Sequence, residues 1–301
     1  MKPIRHLNEL ISVVKSREKR TLAVAYGQDP HTIEAIGEAV ADGFINVKIT
    51  GDETKIKKVA EEKGVDYSQF EIIHQPNEID AIKTAVNIVR NKEADFLMKG
   101  LCNSANYIRV ILNKEKGLIS PGEIISHTTV LEVPTYHKLM LCADVAVIPH
   151  PDLSQKVKML QYTVRIAHRL GIEKPKAAIL AAVEKVTSKL PATIDAAIIS
   201  KMQQRGQLKG VLVDGPLAMD LAISKESVKI KGIKSEVAGD ADIFIFPDIN
   251  AGNIAYKTLS HLGGASLAAV VTGANVPCIL TSRADSDESK FYSILLGALL
   301  S

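Results

Sequence analysis

The sequence predicts an α/β protein made of two doubly wound α/β domains with a cleft between them. Short apolar runs alternate with segments of helical periodicity along most of the chain, and this alternation is typical of parallel strands with helices on both faces of the sheet. The alternation is interrupted once, near Pro134. A chain of 301 residues is also longer than one compact unit usually is.

The first alternating set follows an amphipathic, charged N-terminal segment. Its expected strands are TLAVAY, NVKIT, FEIIHQ and FLMKG. The helix after the first strand is expected to begin in the sequence QDP, where Asp29 suits the N-cap and Pro30 suits the first helical position. Further helices are expected over residues 55–63, 79–92 and 105–114.

The interruption consists of TTVLEV and LMLCADVAVI, two strand-like runs with only VPTYHK between them. So short a connection favours antiparallel pairing or a passage from one sheet to another. In the second set, the expected strands are KAAILAAV, GVLVD and DIFIFPDI, and the expected helices cover residues 153–170, 193–204 and 254–261. CILTS then begins a final strand–helix unit.

These elements suggest how the chain divides. A first domain made only of residues 1–134 would leave its last strand, TTVLEV, without a following helix. We therefore expect the final strand–helix unit to return to the first domain. The expected domains are residues 1–134 with 279–301, and residues 135–278.

Composition excludes several classes of function. The net charge is only +3, and the basic residues form no continuous tract. Aromatic residues make up 4% of the chain and include no Trp, so few side chains could stack on bases. A nucleic-acid partner is therefore not expected. The N-terminus lacks the apolar core of a signal peptide, and no apolar run could span a membrane. Three cysteines without paired spacing indicate buried thiols in a reducing compartment. The sequence therefore predicts a cytoplasmic protein without a membrane partner.

Common cofactor motifs are missing from the sequence. There is no GxxxxGK[ST], no GxGxxG after a strand, no HExxH and no paired-cysteine site. Nucleoside triphosphate, dinucleotide and zinc chemistry thus lack their usual marks, and no metal site is predicted.

Five small polar clusters, by contrast, each follow a predicted strand. They are KGLCNS at 99–104, PHPDLS at 149–154, VDGPLAMD at 213–220, PDINAGN at 247–253 and TSRADSD at 281–287. Turn chemistry explains any one of them taken alone. Because parallel strands of one sheet end on the same side, several clusters are expected to meet on one rim, where α/β proteins bind ligands.

The last cluster raises the sharpest question. Acids at 285, 287 and 288 suit the start of a helix, but a cation such as Arg283 is not favoured there by the helix dipole. In the fourth cluster, Asn250 can serve the helix start, while Gly252 either allows close packing or lets backbone N–H groups approach a phosphate. In the third cluster, Gly215 and Pro216 fit a turn, and Asp214 is a candidate polar ligand.

Taken in order, these clusters resemble the phosphate acetyltransferase and butyryltransferase family, and within it the butyryltransferases. The resemblance covers nearly the whole chain. Its segments are ADFLMKG, LNKEKGLI, SHTTVLEVPTYHKL, PDLSQK, AAVEKV, LPATIDAA, VDGPLAMD, VAGDADI, PDINAGN and LTSRADS. The chain departs from the family at Leu221 and in VIPHPDL, which bears on substrate preference more than on the reaction.

The resemblance implies a fold and a reaction. The fold is the two-domain architecture of isocitrate and isopropylmalate dehydrogenases, in a homodimer or larger homo-oligomer. The reaction is the reversible transfer of an acyl group between coenzyme A and inorganic phosphate through a ternary complex. Coenzyme A would be a co-substrate, with no permanently bound cofactor and no metal. The SRADS motif and the chain length favour butanoyl-CoA over acetyl-CoA.

The resemblance also implies site residues. The family's Ser-Arg pair matches Ser282 and Arg283. Arg283 offers a bidentate fork for phosphate or for an oxyanion, and Ser282 can donate to the sulfur or the carbonyl oxygen. The thiol base would be Asp285 or Asp287, with Asp285 preferred, and burial would have to raise its pKa.

Further residues are expected to bind substrate. Arg109 matches a family arginine and is a second candidate for binding phosphate; the alternative is a surface charge on a helix. The other expected substrate-binding residues are Lys99, Ser104, Asp214, Asn250, Gly252 and Asn253.

Three alternatives stay open. The first is a phosphate acetyltransferase with the same chemistry. The second is a metal- and NAD-dependent decarboxylating dehydrogenase on a similar fold. The third is a non-catalytic acyl-CoA-binding protein, against which the intact Ser282–Asp285 sequence argues.

Overall fold

The computed structural model describes residues 2–282 and 285–301. The strands are β1 (Arg20–Ala25), β2 (Ile45–Gly51), β3 (Phe70–His74), β4 (Phe96–Lys99), β5 (Ser126–Glu132), β6 (Met140–Ala143), β7 (Lys176–Leu180), β8 (Leu212–Leu217), β9 (Ile243–Ile245), β10 (Ser266–Thr272) and β11 (Cys278–Ile279). The helices are α1 (Glu9–Lys15), α2 (Pro30–Ala41), α3 (Glu53–Lys63), α4 (Glu78–Arg90), α5 (Ser104–Ile111), α6 (Leu153–Arg169), α7 (Pro191–Gln204), α8 (Met219–Ile223), α9 (Lys225–Lys231), α10 (Ile249–His261) and α11 (Asp287–Leu300).

The chain forms two compact units. The first, called here the outer-segment unit, contains residues 7–125 and 267–301. The second, called the central unit, contains residues 2–6 and 126–266. No helix among the described residues has the length and apolar character needed to cross a membrane.

The sheet of the outer-segment unit has the strand order β3-β2-β1-β4-β11-β10. The first five strands pair in parallel, and β10 is antiparallel to β11. Both faces of β1 are covered, since every residue from Leu22 to Ala25 is buried. The first crossover helix begins as the sequence predicts, because Asp29 accepts a hydrogen bond from the Thr32 N–H and Pro30 is the first helical residue.

The sheet of the central unit has the order β5-β6-β9-β7-β8. Strands β6, β9, β7 and β8 are parallel, and β5 is antiparallel to β6. Its middle strand, β9, is completely buried and packs against α6, while α10 packs against the neighbouring strand β6. Both units therefore have the doubly wound α/β organisation that the sequence predicts.

A partly buried ion cluster joins the amino ends of β6, β7 and β9. The ammonium of Lys138 lies 2.8 Å from an oxygen of Asp242 and 3.0 Å from an oxygen of Asp240. Lys176, the first residue of β7, lies 2.6 Å from the other oxygen of Asp240. Burial by itself raises the pKa of Asp240, but hydrogen bonds from Lys176, Lys138 and His137 outweigh it and hold that pKa well below its usual value.

The boundaries between the two units differ from the predicted boundaries at residues 134 and 278. TTVLEV lies in β5, and because β5 pairs with β6 from Thr128 to Leu131, it belongs to the central unit and not with residues 1–125. The run ending at Thr272 forms β10, which pairs with β11 in the outer-segment unit. Residues 2–6 join the central unit, where the Ile4 N–H donates to the Leu170 carbonyl at 2.9 Å. The pairing of β5 with β6 and of β10 with β11, together with the contact between Ile4 and Leu170, accounts for these boundaries.

The third polar cluster also differs from expectation. Strand β8 continues to Leu217, so Gly215 and Pro216 lie in a strand and not in a turn. The pairing of β8 with β7 is irregular between Ala178 and Leu180, which indicates a bulge. The bulge accommodates residues that the sequence pattern assigned to a connection.

Candidate active site

Several strands of the outer-segment unit end side by side, and their carboxyl ends form a rim. Lys99 is the last residue of β4, is 4% exposed, and donates to the Gly100 carbonyl at 2.8 Å. A Cβ on Gly100 would lie 2.5 Å from the carbonyl oxygen of Tyr26, so only glycine allows this close approach of the loops after β1 and β4. The loop after β1 is thus part of the rim. The sequence analysis did not include this loop in the site, because Asp29 and Pro30 at its end were already explained as the start of α2.

Helix α5 begins at this rim. Asn103 caps it by accepting hydrogen bonds from the N–H groups of Ala105 and Asn106. The carboxylate of Glu78 accepts hydrogen bonds from the Asn103 N–H at 3.1 Å and from the Asn106 side-chain amide at 2.8 Å. Ser104, the first residue of α5, is exposed. The structure therefore places Lys99 and Ser104 at the same rim, as the sequence predicted.

Arg109 lies farther from the rim, in the last turn of α5. Five residues of α-helix separate it from Ser104, or about 7.5 Å along the axis. Its guanidinium donates to the Asn106 side-chain oxygen at 2.9 Å. It lines a groove of about 300 Å³ between α4 and α5, together with Lys83 and Lys116. The groove is positively charged, so Arg109 is not an isolated surface charge.

After β11, Ser282 and Asp285 are linked by two hydrogen bonds. The Ser282 N–H donates to a carboxylate oxygen of Asp285 at 2.7 Å, and the Asp285 N–H donates to the Ser282 carbonyl at 3.2 Å. Helix α11 then starts with Ser286 as N-cap, which accepts a hydrogen bond from the Ser289 N–H. Arg283, a predicted catalytic residue, lies outside the described residues.

The two candidate bases have different surroundings. The carboxylate of Asp285 accepts a hydrogen bond from the backbone N–H of Ser282. Asp287 instead lies 2.7 Å from Nδ1 of His31 on α2, and its side chain is 46% exposed. The geometry places the Asp285 carboxylate beside Ser282 and directs that of Asp287 towards α2.

Cysteines do not provide a nucleophile at this rim. Cys102 follows Lys99 by three residues and is completely buried. Burial raises the pKa of its thiol to about 12, and the thiol of Cys278 is raised to about 12 for the same reason. Both are protonated at neutral pH, whereas the reactive form of cysteine is the thiolate.

In the central unit, the candidate residues of PDINAGN lie in the first turns of α10. Asp248 is the N-cap and accepts hydrogen bonds from the N–H groups of Asn250 and Ala251. Asn250 is exposed. Gly252 packs against the Asp144 carbonyl so closely that a Cβ would collide with it. The Asn253 side-chain amide donates to the Val145 carbonyl at 2.9 Å. These last two residues therefore fix α10 against the loop after β6.

Asp144 organises that loop, and sequence reasoning did not single it out. It is 1% exposed. One carboxylate oxygen accepts from the Ser126 hydroxyl at 2.9 Å and the His127 N–H at 2.8 Å. The other accepts from the N–H groups of Ala146 at 2.8 Å and Val147 at 2.7 Å. Its only signal in the sequence was an acid inside the apolar run LMLCADVAVI, where a strand had been expected to continue.

Asp214 is not close to α10 in the sheet. It lies in the edge strand β8, two strands away from β9, which precedes α10. Its carboxylate accepts a hydrogen bond from the adjacent Gly215 N–H at 2.8 Å. The structure thus does not group it with Asn250, Gly252 and Asn253.

Comparisons with known proteins agree with this geometry. A family model described as Phosphate acetyl/butaryl transferase matches residues 69–298. The chain is 43% identical to a phosphate butyryltransferase from Clostridium acetobutylicum, covering 99% of this chain and 98% of that protein. It is 42% identical to a phosphate acetyltransferase from Thermotoga maritima, covering 97% of this chain and 99% of that protein.

Solved structures show the same fold. A branched-chain phosphotransacylase from Enterococcus faecalis superimposes with a TM-score of 0.82 at 28% identity, covering 93% of this chain and 98% of that one. A 4-hydroxythreonine-4-phosphate dehydrogenase from Klebsiella pneumoniae, with a TM-score of 0.51 and 13% identity, shares the fold alone. The predicted doubly wound, dehydrogenase-like fold is confirmed. The chain belongs to the phosphate acetyltransferase and butyryltransferase family.

Proposed function

We propose that the protein is a phosphate acyltransferase that converts butanoyl-CoA and inorganic phosphate to butanoyl phosphate and coenzyme A, reversibly and within a ternary complex. The observation that carries this proposal is the family match over nearly the full chain together with the hydrogen-bonded pair of Ser282 and Asp285 after β11. The relatives' names supply the reaction class. The pair supplies a place where the reaction can occur.

The proposed chemistry needs no covalent enzyme intermediate. A phosphate oxygen attacks the thioester carbonyl carbon, the negative charge moves to the carbonyl oxygen, and the C–S bond then breaks. The coenzyme A thiolate leaves, and acyl phosphate remains. In the reverse direction a base must take the proton from the thiol before it attacks.

We assign the roles at the rim as follows. Arg283 holds phosphate or the developing oxyanion through its bidentate fork. Ser282 donates to the thioester. Asp285 serves as the thiol base, supported by its direct bond to Ser282, whereas Asp287 is engaged with His31. Lys99 contributes positive charge at the neighbouring strand end.

The remaining candidates have supporting roles. Ser104 lies at the rim and can bind phosphate, and Arg109 in its positively charged groove can bind a phosphate group of a substrate. In the central unit, Asn250 offers an exposed amide, while Gly252 and Asn253 shape the helix start. Asp214 has the weakest support, since it lies at the sheet edge.

The preference for a four-carbon chain is the finer part of the proposal. The butyryltransferase and acetyltransferase relatives are almost equally identical to this chain, at 43% and 42%. Overall similarity therefore does not separate the two substrates. The SRADS motif and the 301-residue length favour butanoyl-CoA.

We also propose a cytoplasmic homo-oligomer. The three cysteines are buried free thiols, as suits a reducing compartment. Leu190, Ile194 and Ile198 follow one another at helical spacing along α7 and are 37–39% exposed. A second copy of the chain could cover this stripe. Light scattering coupled to gel filtration tests the assembly, and a single-chain mass would contradict it.

The reaction is tested by thiol release. The protein is mixed with an acyl-CoA series of two to six carbons, with and without phosphate. We expect phosphate-dependent release of coenzyme A, with the highest kcat/KM for butanoyl-CoA. A higher value for acetyl-CoA would favour the phosphate acetyltransferase alternative. NAD reduction in the presence of magnesium would instead indicate the dehydrogenase alternative, which shares only the fold.

A further inference from the structure

Lys290 is a buried lysine whose charge the described residues do not balance. It lies in the second turn of α11, is 4% exposed, and its ammonium donates to the Asp285 carbonyl at 2.9 Å. None of the carboxylates in residues 2–282 and 285–301 forms an ion pair with it. A buried cation without an anionic partner is costly, and such groups are rarely kept without a reason.

Two other buried lysines show the usual arrangement. Lys138 is 6% exposed and contacts the carboxylates of Asp240 and Asp242. Lys156 is 5% exposed and lies 2.7 Å from a carboxylate oxygen of Asp195. Both are in the central unit. Lys290 departs from this pattern, and its hydrogen-bond partner is Asp285, which is itself bonded to Ser282.

The position of Lys290 on its helix shows where it points. Gly297, seven residues later and therefore on the same helix face, faces the sheet, since a Cβ there would lie 2.8 Å from Phe96 in β4 and 3.2 Å from Ile279 in β11. Lys290 lies two turns closer to the carboxyl ends of these strands. Its side chain thus reaches the rim where Lys99 ends β4 and Ser282 follows β11.

Among the described residues, no nearby acid forms an ion pair with the ammonium. Asp285 directs its carboxylate to the Ser282 N–H and presents only its neutral carbonyl to Lys290. Asp287 pairs with His31 on α2, and Glu288 is exposed. The ammonium has three N–H donors, and one is used by the carbonyl. An anion at the rim can take a second.

We infer that Lys290 is part of an oxyanion subsite that binds inorganic phosphate, or the phosphoryl group of the acyl phosphate, at the end of β11. This inference deepens the proposed function and rests on it. Lys290 donates a hydrogen bond to the Asp285 carbonyl and, through its charge, favours a phosphate dianion bound close to Ser282 and Asp285. The bound anion supplies the countercharge that Lys290 does not receive from an ion pair with any described carboxylate.

Three variants separate charge from hydrogen bonding. Lys290→Met removes both, Lys290→Gln keeps a neutral N–H donor, and Lys290→Arg keeps the charge. We expect Met and Gln to raise the KM for phosphate about ten- to a hundred-fold, as for a lost charge-assisted hydrogen bond, while Arg changes it much less. The KM for butanoyl-CoA should stay within about twofold in all three. The melting temperature of the Met variant should be equal to or above that of the parent, because an uncompensated buried charge is gone.

Lys156→Met is the matched control. It removes a buried lysine that Asp195 already neutralises, so we expect a lower melting temperature and an unchanged KM for phosphate. A Met variant of Lys290 that keeps the parent's KM for phosphate within a factor of two would overturn the inference. The inference would also be overturned if Lys290→Met lowered the melting temperature, Lys290→Gln kept that of the parent, and neither variant changed the KM for phosphate. If the Met variant does not fold, the Gln and Arg variants decide alone.

A binding measurement separates this inference from the proposed reaction. Phosphate should raise the melting temperature of the parent protein, in comparison with chloride at equal ionic strength, and the rise should vanish in Lys290→Gln. If the parent shows this rise but releases no coenzyme A, the anion subsite stands and the proposed reaction fails. If phosphate neither stabilises the parent nor supports release, both are overturned.

Discussion

Replacing Asp144 by Asn tests the account of the loop after β6. The carboxylate accepts four hydrogen bonds at 2.7–2.9 Å in a site that is 1% exposed. An amide has one oxygen and one NH₂ group, so two of the four donors must face another donor. The less costly orientation turns the NH₂ towards Ser126, whose hydroxyl can reverse and accept. The His127 N–H is then left unpaired.

The magnitude follows from this count. One buried N–H loses its partner, and the other three hydrogen bonds lose the benefit of a charged acceptor. A buried unsatisfied donor costs about 1–3 kcal/mol, and hydrogen bonds to charged groups are stronger than neutral ones. We therefore expect Asp144→Asn to lower the free energy of unfolding by about 2–4 kcal/mol, measured by urea denaturation.

Asp152→Asn is the matched control. Asp152 is the exposed N-cap of α6 in the same unit and accepts a hydrogen bond from the Gln155 N–H. Asn caps helices about as well as Asp, so this change should cost less than about 0.5 kcal/mol. An Asp144→Asn variant as stable as the Asp152→Asn variant would refute the reasoning about the buried carboxylate.

Three further predictions concern other parts of the chain. Arg283→Lys should keep the parent's melting temperature but lose at least about tenfold in kcat/KM, because Lys cannot form a bidentate fork; activity within a factor of two would assign the phosphate to other cations. Lys138→Met should lower the free energy of unfolding by about 3–5 kcal/mol at neutral pH. The pKa of Asp240 is depressed in the folded state, so ionised Asp240 stabilises the fold above about pH 4, the pKa in the unfolded chain, and this stabilisation is lost as the pH falls further. The pH dependence of unfolding in acid should therefore be weaker in the Lys138 variant. An unchanged pH profile of unfolding would contradict the role of Lys138 in lowering the Asp240 pKa. Gly100→Ala should abolish folding or sharply lower the melting temperature, since its Cβ would lie 2.5 Å from the Tyr26 carbonyl oxygen; a normal melting temperature would show that this contact can relax.

The local structure was largely predictable from the sequence. Asp29 and Pro30 mark the start of α2 as predicted, because capping depends on a few adjacent residues. The predicted helix over 153–170 is observed as Leu153–Arg169. The strands were predicted from short apolar runs, which are also a local signal, because each buried position in a strand favours an apolar residue.

Domain membership was less predictable than local structure. The short connection after TTVLEV favoured the antiparallel pairing with β6 that is observed, but the sequence pattern did not show that this pair belongs to the central unit. Asp144 was missed because its four donors come from both sides of the carboxylate in sequence, at 126–127 and 146–147. Only folding brings them together.

The candidate site shows the same division. The Ser-Arg pair and Asp285 were found as a contiguous motif, and the bond from Ser282 to Asp285 is local. The surroundings of Arg109 were not predicted, because the groove beside it is formed by α4 as well as α5. Lys290 was also missed, since a lysine in a helix is ordinarily exposed and its burial depends on how α11 packs on the sheet.

The release of coenzyme A from butanoyl-CoA, measured by thiol detection as a function of phosphate concentration, tests the proposed function most directly. The account predicts release that requires phosphate, saturates with it, and yields one butanoyl phosphate for each coenzyme A. Release that proceeds at the same rate without phosphate, or no release with any acyl-CoA of two to six carbons, would contradict it.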